Sequence, residues 1–214
     1  MPPLSNARSD PAEELRATAL RLFVMTSYAG ASLQQIADEA GYSKSSVLYH
    51  FSSKEALLES ALAPAVSKLH ALLTNTIGRI ADDALRADFI DEFIDFLLEY
   101  RFEAHIIINQ GQSLAGIETI DRARESIWHL GDAFLNELPS TKQRIRLGVA
   151  LAGAAYVLAT TAADKAGSNT EPIGEVRQAL IDVMTELLLP LGTAAAADSG
   201  SSGPVPPASF TPAD

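Results

Sequence analysis

Apolar residues recur along this chain with a helical period through most of its length. In the first stretch they fall at i, i+4, i+7 and i+8 of one helix face: Leu15, Ala19, Leu22 and Phe23. Further amphipathic helices are predicted over residues 87–100, 103–110, 117–138, 141–164 and 173–191. Because strand-like alternation is scarce, the pattern predicts an all-α fold.

Two short helices after the first one carry clear start and stop signals. Ser32 and Gln35 form a capping-box pattern that opens a helix over residues 33–40, and Gly41 suits its left-handed end. Ser43 can cap a third helix that runs to about Tyr49. The tight turn between these two helices predicts a helix-turn-helix, a motif whose last helix enters a DNA groove.

A long fourth helix is predicted to open at Ser52, with Glu55 three residues later as the second half of a box-like start. Pro64 inside it should bend the helix or lift its first part away from the rest. The chain then divides into a flexible N-terminus (1–10), a helix-turn-helix domain (11–56), a second helical domain (57–192) and a disordered tail (193–214). The tail is rich in Ala, Ser, Gly and Pro and too poor in apolar mass to pack.

Charge and composition limit the choice of partners. The formal net charge of −11 argues against diffuse binding to polyanions, but the first 60 residues contribute only −2 of it. The chain has no cysteine, which excludes disulfides and thiolate chemistry. Its longest uncharged run, residues 147–163, would reach about 25 Å as a helix, short of a bilayer's ~30 Å. We therefore expect a cytoplasmic protein with no membrane partner.

The third helix presents small polar groups outward while Val47 and Phe51 face inward at i and i+4. Lys44 can donate to guanine O6 and N7 or to phosphate. The candidate contacts to double-stranded DNA are Ser32, Ser43, Lys44, Ser45, Ser46, Tyr49, His50 and Lys54. A structural role stays open for Ser32 as a helix cap, for Tyr49 and His50 as packing residues, and for Lys54 as a solvated lysine.

Over about residues 15–62 the chain resembles the N-terminal domain of the TetR family of bacterial regulators. The landmarks that carry the resemblance are Ile36-Ala37, Ala40-Gly41, Ser43, Tyr49-His50-Phe51 and Lys54-Glu55. Ser27 replaces the family's usual Gly after the first helix, Ser45 replaces a frequent Gly or Pro, and Leu48 replaces a phosphate-contacting Tyr.

The resemblance implies a homodimer that places two recognition helices in successive major grooves of a near-palindromic operator. It further implies that a ligand in the C-terminal domain alters the spacing of the two helices and releases the DNA, with repression as the usual mode.

A row of small residues within 141–164 suits close helix approach at a subunit interface, and the next helix carries an apolar stripe. The predicted dimer interface comprises Gly148, Ala152, Ala155, Ala159, Leu180 and Met184. An intramolecular core helix is the alternative reading, because helices within one chain also pack through small residues.

Aromatic and polar side chains in the helical domain suggest a pocket for a small molecule. The candidate lining residues are Phe89, Phe93, Phe96, Tyr100, His105, Asn109, Trp128 and Tyr156. Since Arg101, Arg122 and Arg124 stand among many carboxylates, a small and mostly apolar effector is expected rather than a strongly anionic one. Aromatic residues at helical spacing also suit an ordinary core.

Two other functions remain as alternatives. Residues 106–115 resemble an apolar strand that leads into a Gly-x-Ser-x-Ala turn, which would make Ser113 the nucleophile of a hydrolase. The chain could also be a helical protein-interaction module that does not bind DNA. No metal site is expected, because the four histidines lie far apart without ligand spacing, and no cofactor or enzymatic activity is expected.

Overall fold

A computed structural model describes residues 10–76, 83–138, 140–161 and 172–188. This part of the chain contains helices and no strands. The helices are α1 (Pro11–Thr26), α2 (Leu33–Ala40), α3 (Lys44–His50), α4 (Lys54–Thr76), α5 (Asp83–Glu99), α6 (Arg101–Gln110), α7 (Glu118–Glu137), α8 (Thr141–Thr161) and α9 (Ile173–Leu188). The predicted all-α fold is confirmed. The predicted tail at 193–214 and residues 1–9 lie outside the described residues.

Helix α1 begins where local chemistry favours it. The side chain of Asp10 accepts a hydrogen bond from the Ala12 N–H at 3.1 Å, and Pro11 occupies the first helical position, where its missing N–H costs nothing. Glu13 and Glu14 place negative charge in the first turn, beside the positive end of the helix dipole. The chain therefore enters the fold at a well-defined residue.

Helix α4 starts one residue later than the Ser52 box pattern predicts. The Ser53 hydroxyl accepts from the Ala56 N–H at 3.0 Å, and the Ser53 carbonyl accepts from the Leu57 N–H at 3.1 Å. The choice of Ser52 as the cap was therefore wrong. Pro64 is exposed inside α4, which continues through it to Thr76, while the predicted bend remains a prediction.

Two hydrophobic clusters make up the core. One joins α5 to α8 and α9 and to the second half of α4, with Phe89, Phe93 and Ile94 among its buried residues. The other holds α1, α2 and α3 against the first half of α4. This second cluster also contains Ile106 of α6 and Ile120 of α7, so the N-terminal helices share their core with residues far along the chain.

Helices α5 and α9 are tied together by two sets of polar contacts. Arg86 is almost fully buried and donates to the carbonyl of Leu188, at the end of α9, at 3.1 Å. On the surface, Arg177 bonds Asp95 at 2.7 Å and Asp91 at 3.1 Å, and its guanidinium lowers the pKa of Asp95. These contacts hold α9 along α5.

The longest helix, α4, is apolar enough over Lys54–Asn75 to pass a test of length and composition for a membrane span. Half of that stretch is buried inside the fold, which is how a core helix behaves.

Candidate nucleic-acid interface

The start and end of α2 set the direction in which the chain enters the turn. The Ser32 hydroxyl accepts from the Gln35 N–H at 3.2 Å, and the Gln35 side-chain oxygen accepts from the Ser32 N–H at 2.9 Å. At the other end Gly41 adopts φ 76° and ψ 24°, and the Tyr42 N–H returns to the Ala37 carbonyl at 2.9 Å. The predicted capping box and left-handed glycine are both confirmed.

The turn after α2 is attached to α1 by a side chain. The Tyr42 hydroxyl donates to Oε2 of Glu14 at 2.5 Å, and this hydrogen bond is the largest cause of the raised pKa of Tyr42. Ser43 then caps α3, since its hydroxyl accepts from the Ser46 N–H at 3.1 Å. The position of α3 is therefore determined at its first residue by a cap and just before it by a tie to α1.

Helix α3 buries one face and exposes the other. Val47 is fully buried and Phe51 nearly so, both in the cluster shared with α1 and α4. Tyr49 is 86% exposed and Leu48 is 43% exposed, and Lys44, Ser45 and His50 are also exposed. The Tyr49 and His50 rings meet edge to face, with centroids 5.3 Å apart. Most of the predicted DNA-contacting side chains are thus brought together on one surface.

Lys54 stands apart from the other candidates because the protein itself uses its ammonium group. Its Nζ donates to the carbonyl oxygens of Tyr28 at 2.8 Å and Ala31 at 2.9 Å, and it lies 4.3 Å from the centre of the Tyr28 ring. It is half-buried rather than a freely solvated lysine. An ammonium has three N–H groups, so one remains for a phosphate after these two bonds.

The predicted ligand-pocket residues do not all come together. Phe89 and Phe93 stack at 5.6 Å and Phe96 lies 5.3 Å from Tyr100, all within or against the core of the helical domain. Trp128 is 69% exposed and Tyr156 is 57% exposed. Trp128 and Tyr156 therefore lie on outward faces of their helices, whereas the phenylalanines lie in the core.

The two polar pocket candidates, His105 and Asn109, lie one turn apart on α6. Nδ1 of His105 makes a hydrogen bond of 2.7 Å with the Ala159 carbonyl, in the last turn of α8. Nδ2 of the exposed Asn109 donates to the His105 carbonyl at 3.1 Å. His105 thus links α6 to α8.

The predicted dimer-interface residues also separate into two groups. Gly148 and Ala152 are exposed, and Ala155 and Leu180 are half-buried, so a partner can reach them. Ala159 is 0% exposed and Met184 is 1% exposed within a single chain. These two were wrongly assigned to the interface, because their side chains are already enclosed by their own subunit.

The pattern of small residues missed the large apolar side chains that are exposed on the same helices. Ile145, Val149 and Tyr156 are exposed on α8 at i, i+4 and i+11, with Ala152 between them, and Val183 is exposed on α9. Their spacing was visible in the sequence as a helical stripe. The sequence did not show that this stripe lies outside the core.

The Gly-x-Ser-x-Ala segment does not form a hydrolase turn. Residues 106–110 belong to α6 rather than to a strand, and the Ser113 hydroxyl donates to the Gln110 carbonyl at 2.8 Å. A nucleophile elbow needs a sheet behind it, and the described part of the chain has none. Within that same part, no three His, Asp or Glu side chains cluster in a way that could hold a metal ion.

Comparison with known proteins places the N-terminal helices in a family. Residues 15–61 match the family described as "Bacterial regulatory proteins, tetR family". An uncharacterized HTH-type transcriptional regulator from Bacillus subtilis, YerO, is 33% identical over 88 residues, which is 39% of this chain. The chain spans only 30% of the length of that relative.

Solved structures of similar shape establish the fold. The ketosteroid transcriptional regulator KstR2 of Mycobacterium tuberculosis has a TM-score of 0.64 and 14% identity, covering 86% of this chain and 97% of that one. A TetR-family regulator from Streptomyces coelicolor has a TM-score of 0.62 and 20% identity, covering 84% of this chain and 92% of that one. The family match thus covers the N-terminal helix-turn-helix segment, and the solved structures extend the likeness in fold over most of the chain.

Proposed function

We propose that the protein is a homodimeric transcription regulator that binds a near-palindromic DNA operator through α3. The observation that carries this proposal is the outward face of α3, where Lys44, Ser45 and Tyr49 project together from a helix whose other side is locked into the core. A short helix on a rigid support is what the major groove admits.

The side chains on this face suit different parts of a duplex. Lys44 carries the positive charge of α3 and is the donor for guanine O6 and N7. Tyr49, His50, Ser45 and Ser46 offer ring or hydroxyl groups for phosphate and sugar, which set the register. Ser32 and Ser43 already cap helices, and capping leaves them beside free N–H groups that also suit a phosphate.

The dimer uses the outward faces of α8 and α9. An exposed apolar stripe on α8, formed by Ile145, Val149 and Tyr156, lies on a helix that packs against α9, where Val183 is also exposed. Two adjacent helices with uncovered apolar faces from each subunit make a four-helix interface. We propose this contact as the one that sets the separation of the two α3 helices.

A small and mostly apolar effector held in the helical domain would release the operator, making the protein a repressor that acts in the cytoplasm. The support for an apolar effector is the aromatic core of that domain, in which Phe89, Phe93 and Phe96 are buried. The test is loss of operator binding during titration with a panel of apolar small molecules, with charged analogues of the same size as controls.

The DNA proposal is tested by selecting duplexes from a random pool with the purified chain and then measuring affinity at several salt concentrations. We expect a palindromic consensus and an affinity that falls steeply with salt, because each neutralised phosphate releases counterions. Binding without sequence selection, or no binding at all, would reject the proposal in favour of a helical protein-interaction module.

Substitutions separate base reading from phosphate contact. Lys44→Ala should lower the affinity for the selected duplex about 5- to 150-fold and reduce the preference for guanine at one position of each half-site.

Tyr49→Ala should lower the affinity for all duplexes by a similar factor and keep the consensus sequence. Lys68→Ala removes the same charge from an exposed site on α4 and is the matched control. The same consensus for wild type and Lys44→Ala would contradict the assigned role of Lys44.

A further inference from the structure

Gln110, the last residue of α6, bridges two backbone groups at the end of α1. Its Nε2 donates to the Phe23 carbonyl at 2.9 Å, and its Oε1 accepts from the Tyr28 N–H at 2.7 Å. Phe23 belongs to the last turn of α1, where carbonyls lack an intrahelical partner, and Tyr28 lies in the turn that follows. The groups that α1 leaves unsatisfied are therefore paired by a side chain more than 80 residues away.

Both the donor and the acceptor of this amide are used, and the site is partly buried. A side-chain amide is planar, so two bonds to two different backbone groups hold the amide, and with it the end of α6, against the end of α1. A single hydrogen bond to a flexible side chain would allow rotation about the contact. The second hydrogen bond of the amide restricts that rotation.

The backbone around Gln110 is constrained as well. Its carbonyl accepts from the Ser113 hydroxyl at 2.8 Å and from the Ser113 N–H at 3.0 Å. Gly111 is buried, and a Cβ placed there would collide with the Ile107 carbonyl oxygen, so this position requires glycine. The Gly-x-Ser segment thus has a structural purpose, which is to end α6 and hold Gln110 in place.

Apolar packing supports the same joint. Ile106 of α6, Leu114 and Ile117 of the turn, and Ile120 of α7 are buried in the cluster that also contains Phe23 of α1. Nearer its start, α6 is bonded to α8 through His105 and the Ala159 carbonyl at 2.7 Å. Helix α6 therefore connects the helix with the uncovered apolar stripe to the domain that carries α3.

We propose that Gln110 is a positioning residue for DNA recognition: its amide sets the angle at which the N-terminal domain sits on α6, and hence the separation of the two α3 helices in a dimer. The hydrogen bond between the Tyr28 N–H and Gln110 is observed in the structure. The consequence for DNA rests on the proposed function.

The first test is amide hydrogen exchange in the full-length chain. Gln110→Leu keeps the size of the side chain and removes both bonds, so the Tyr28 N–H should exchange at least 10-fold faster. The Phe51 N–H, which bonds the Val47 carbonyl within the same domain, should be unchanged and reports any global loss of stability. Gln112→Leu alters an exposed residue of the same turn and should leave both amides as in wild type.

The second test uses the duplex selected by the wild-type chain and a version with one base pair inserted between the half-sites. Wild type and Gln112→Leu should bind the lengthened duplex at least 10-fold more weakly. Gln110→Leu should show less than a 3-fold difference, because its domains are no longer held at one angle. If Gln110→Leu does not fold, Gln110→Glu replaces it, since a carboxylate still accepts from Tyr28 but cannot donate to Phe23.

The outcomes separate the two proposals. If the wild-type chain selects no DNA sequence, the proposed function fails. The exchange rate of the Tyr28 N–H still tests whether Gln110 holds α6 against the end of α1. Unchanged Tyr28 exchange in Gln110→Leu overturns the inference. Faster exchange with an unaltered spacing preference also overturns it, because Gln110 would then cap α1 without positioning the domain.

Discussion

Ser27 is held in a backbone conformation that suits glycine. Its φ of 72° and ψ of 162° make it the one non-glycine residue with positive φ in the described part of the chain. Such a conformation costs about 1–3 kcal/mol, and the Ser27 hydroxyl offsets part of it by accepting the Gly30 N–H at 3.2 Å. This is also the position where the resemblance leads one to expect glycine.

Ser27→Gly should therefore stabilise the protein by up to about 1 kcal/mol, since relief of strain exceeds the loss of one exposed hydrogen bond and the added freedom of glycine when unfolded. The midpoint of urea denaturation measures this change. Ser52→Gly, at an exposed serine without positive φ, should lower the midpoint instead. A lower midpoint for Ser27→Gly would show that the serine hydroxyl outweighs the strain.

Leu48 stands on α3 where the resemblance leads one to expect a phosphate-contacting Tyr, so this position offers a different contact to DNA. It is 43% exposed one turn after Lys44, and its side chain cannot bond a phosphate. An exposed aliphatic group on a recognition helix fits the C5-methyl of thymine. Replacing thymine by uracil at one position of the selected half-site should weaken wild type about 4-fold, the value of one buried methyl, and should not affect Leu48→Ala. Equal losses in both proteins would remove Leu48 from base recognition.

At the scale of elements, the junction of α5 and α6 carries an unfavourable carboxylate. Burial raises the pKa of Glu103, and the nearby charge of Glu99 raises it further. An acid whose pKa is higher when folded loses folding stability as pH rises from the unfolded value toward the folded one. Above both values the penalty is constant, so the ionised carboxyl of Glu103 destabilises the junction most at pH values above both pKa values.

Glu103→Gln should accordingly raise the unfolding free energy at pH 7 and have little effect below pH ~4, where the wild-type carboxyl is protonated in both states. Chemical denaturation across this pH range measures the difference. Glu92→Gln on the exposed side of α5 is the control and should show no such dependence. A difference that is the same at every pH would mean that charge at Glu103 is not the cause.

At the scale of the whole molecule, α8 and α9 carry apolar side chains that remain exposed in a single subunit. Val149 is exposed in the middle of the α8 stripe, between Ile145 and Tyr156. An unpaired charge buried at an interface costs about 3–5 kcal/mol. Val149→Arg should therefore raise the dimer dissociation constant by more than about 100-fold, as measured by sedimentation equilibrium.

Ile127→Arg makes the same kind of change at an exposed apolar residue of α7 and should leave the association unchanged. A dimer that survives Val149→Arg but dissociates with Ile127→Arg would move the interface from α8 and α9 to α7. The DNA affinity of the two variants should follow their association, since one subunit reaches only one half-site.

Local patterns predicted most helix ends of the N-terminal domain because the hydrogen bonds that cap these helices span few residues. The capping box joins Ser32 to Gln35, the left-handed end lies at Gly41, and Ser43 caps through Ser46. The start of α4 was missed by one residue, as two adjacent serines both offer a hydroxyl. The burial of Phe51 in the core accompanies the use of the second one, Ser53.

The amino-acid sequence by itself determined the helices and most of their caps, including those on both sides of the helix-turn-helix turn, because each depends on contacts within about one helical turn. Only the tertiary structure decided what each helix face meets. Ala159 and Met184 are buried within the subunit, whereas Tyr156 and Trp128 are exposed. The side chains of Lys54 and Gln110 make hydrogen bonds to backbone groups distant in sequence. The physical reason is that a helical period tells which residues share a face, whereas the neighbour of that face comes from residues tens of positions away.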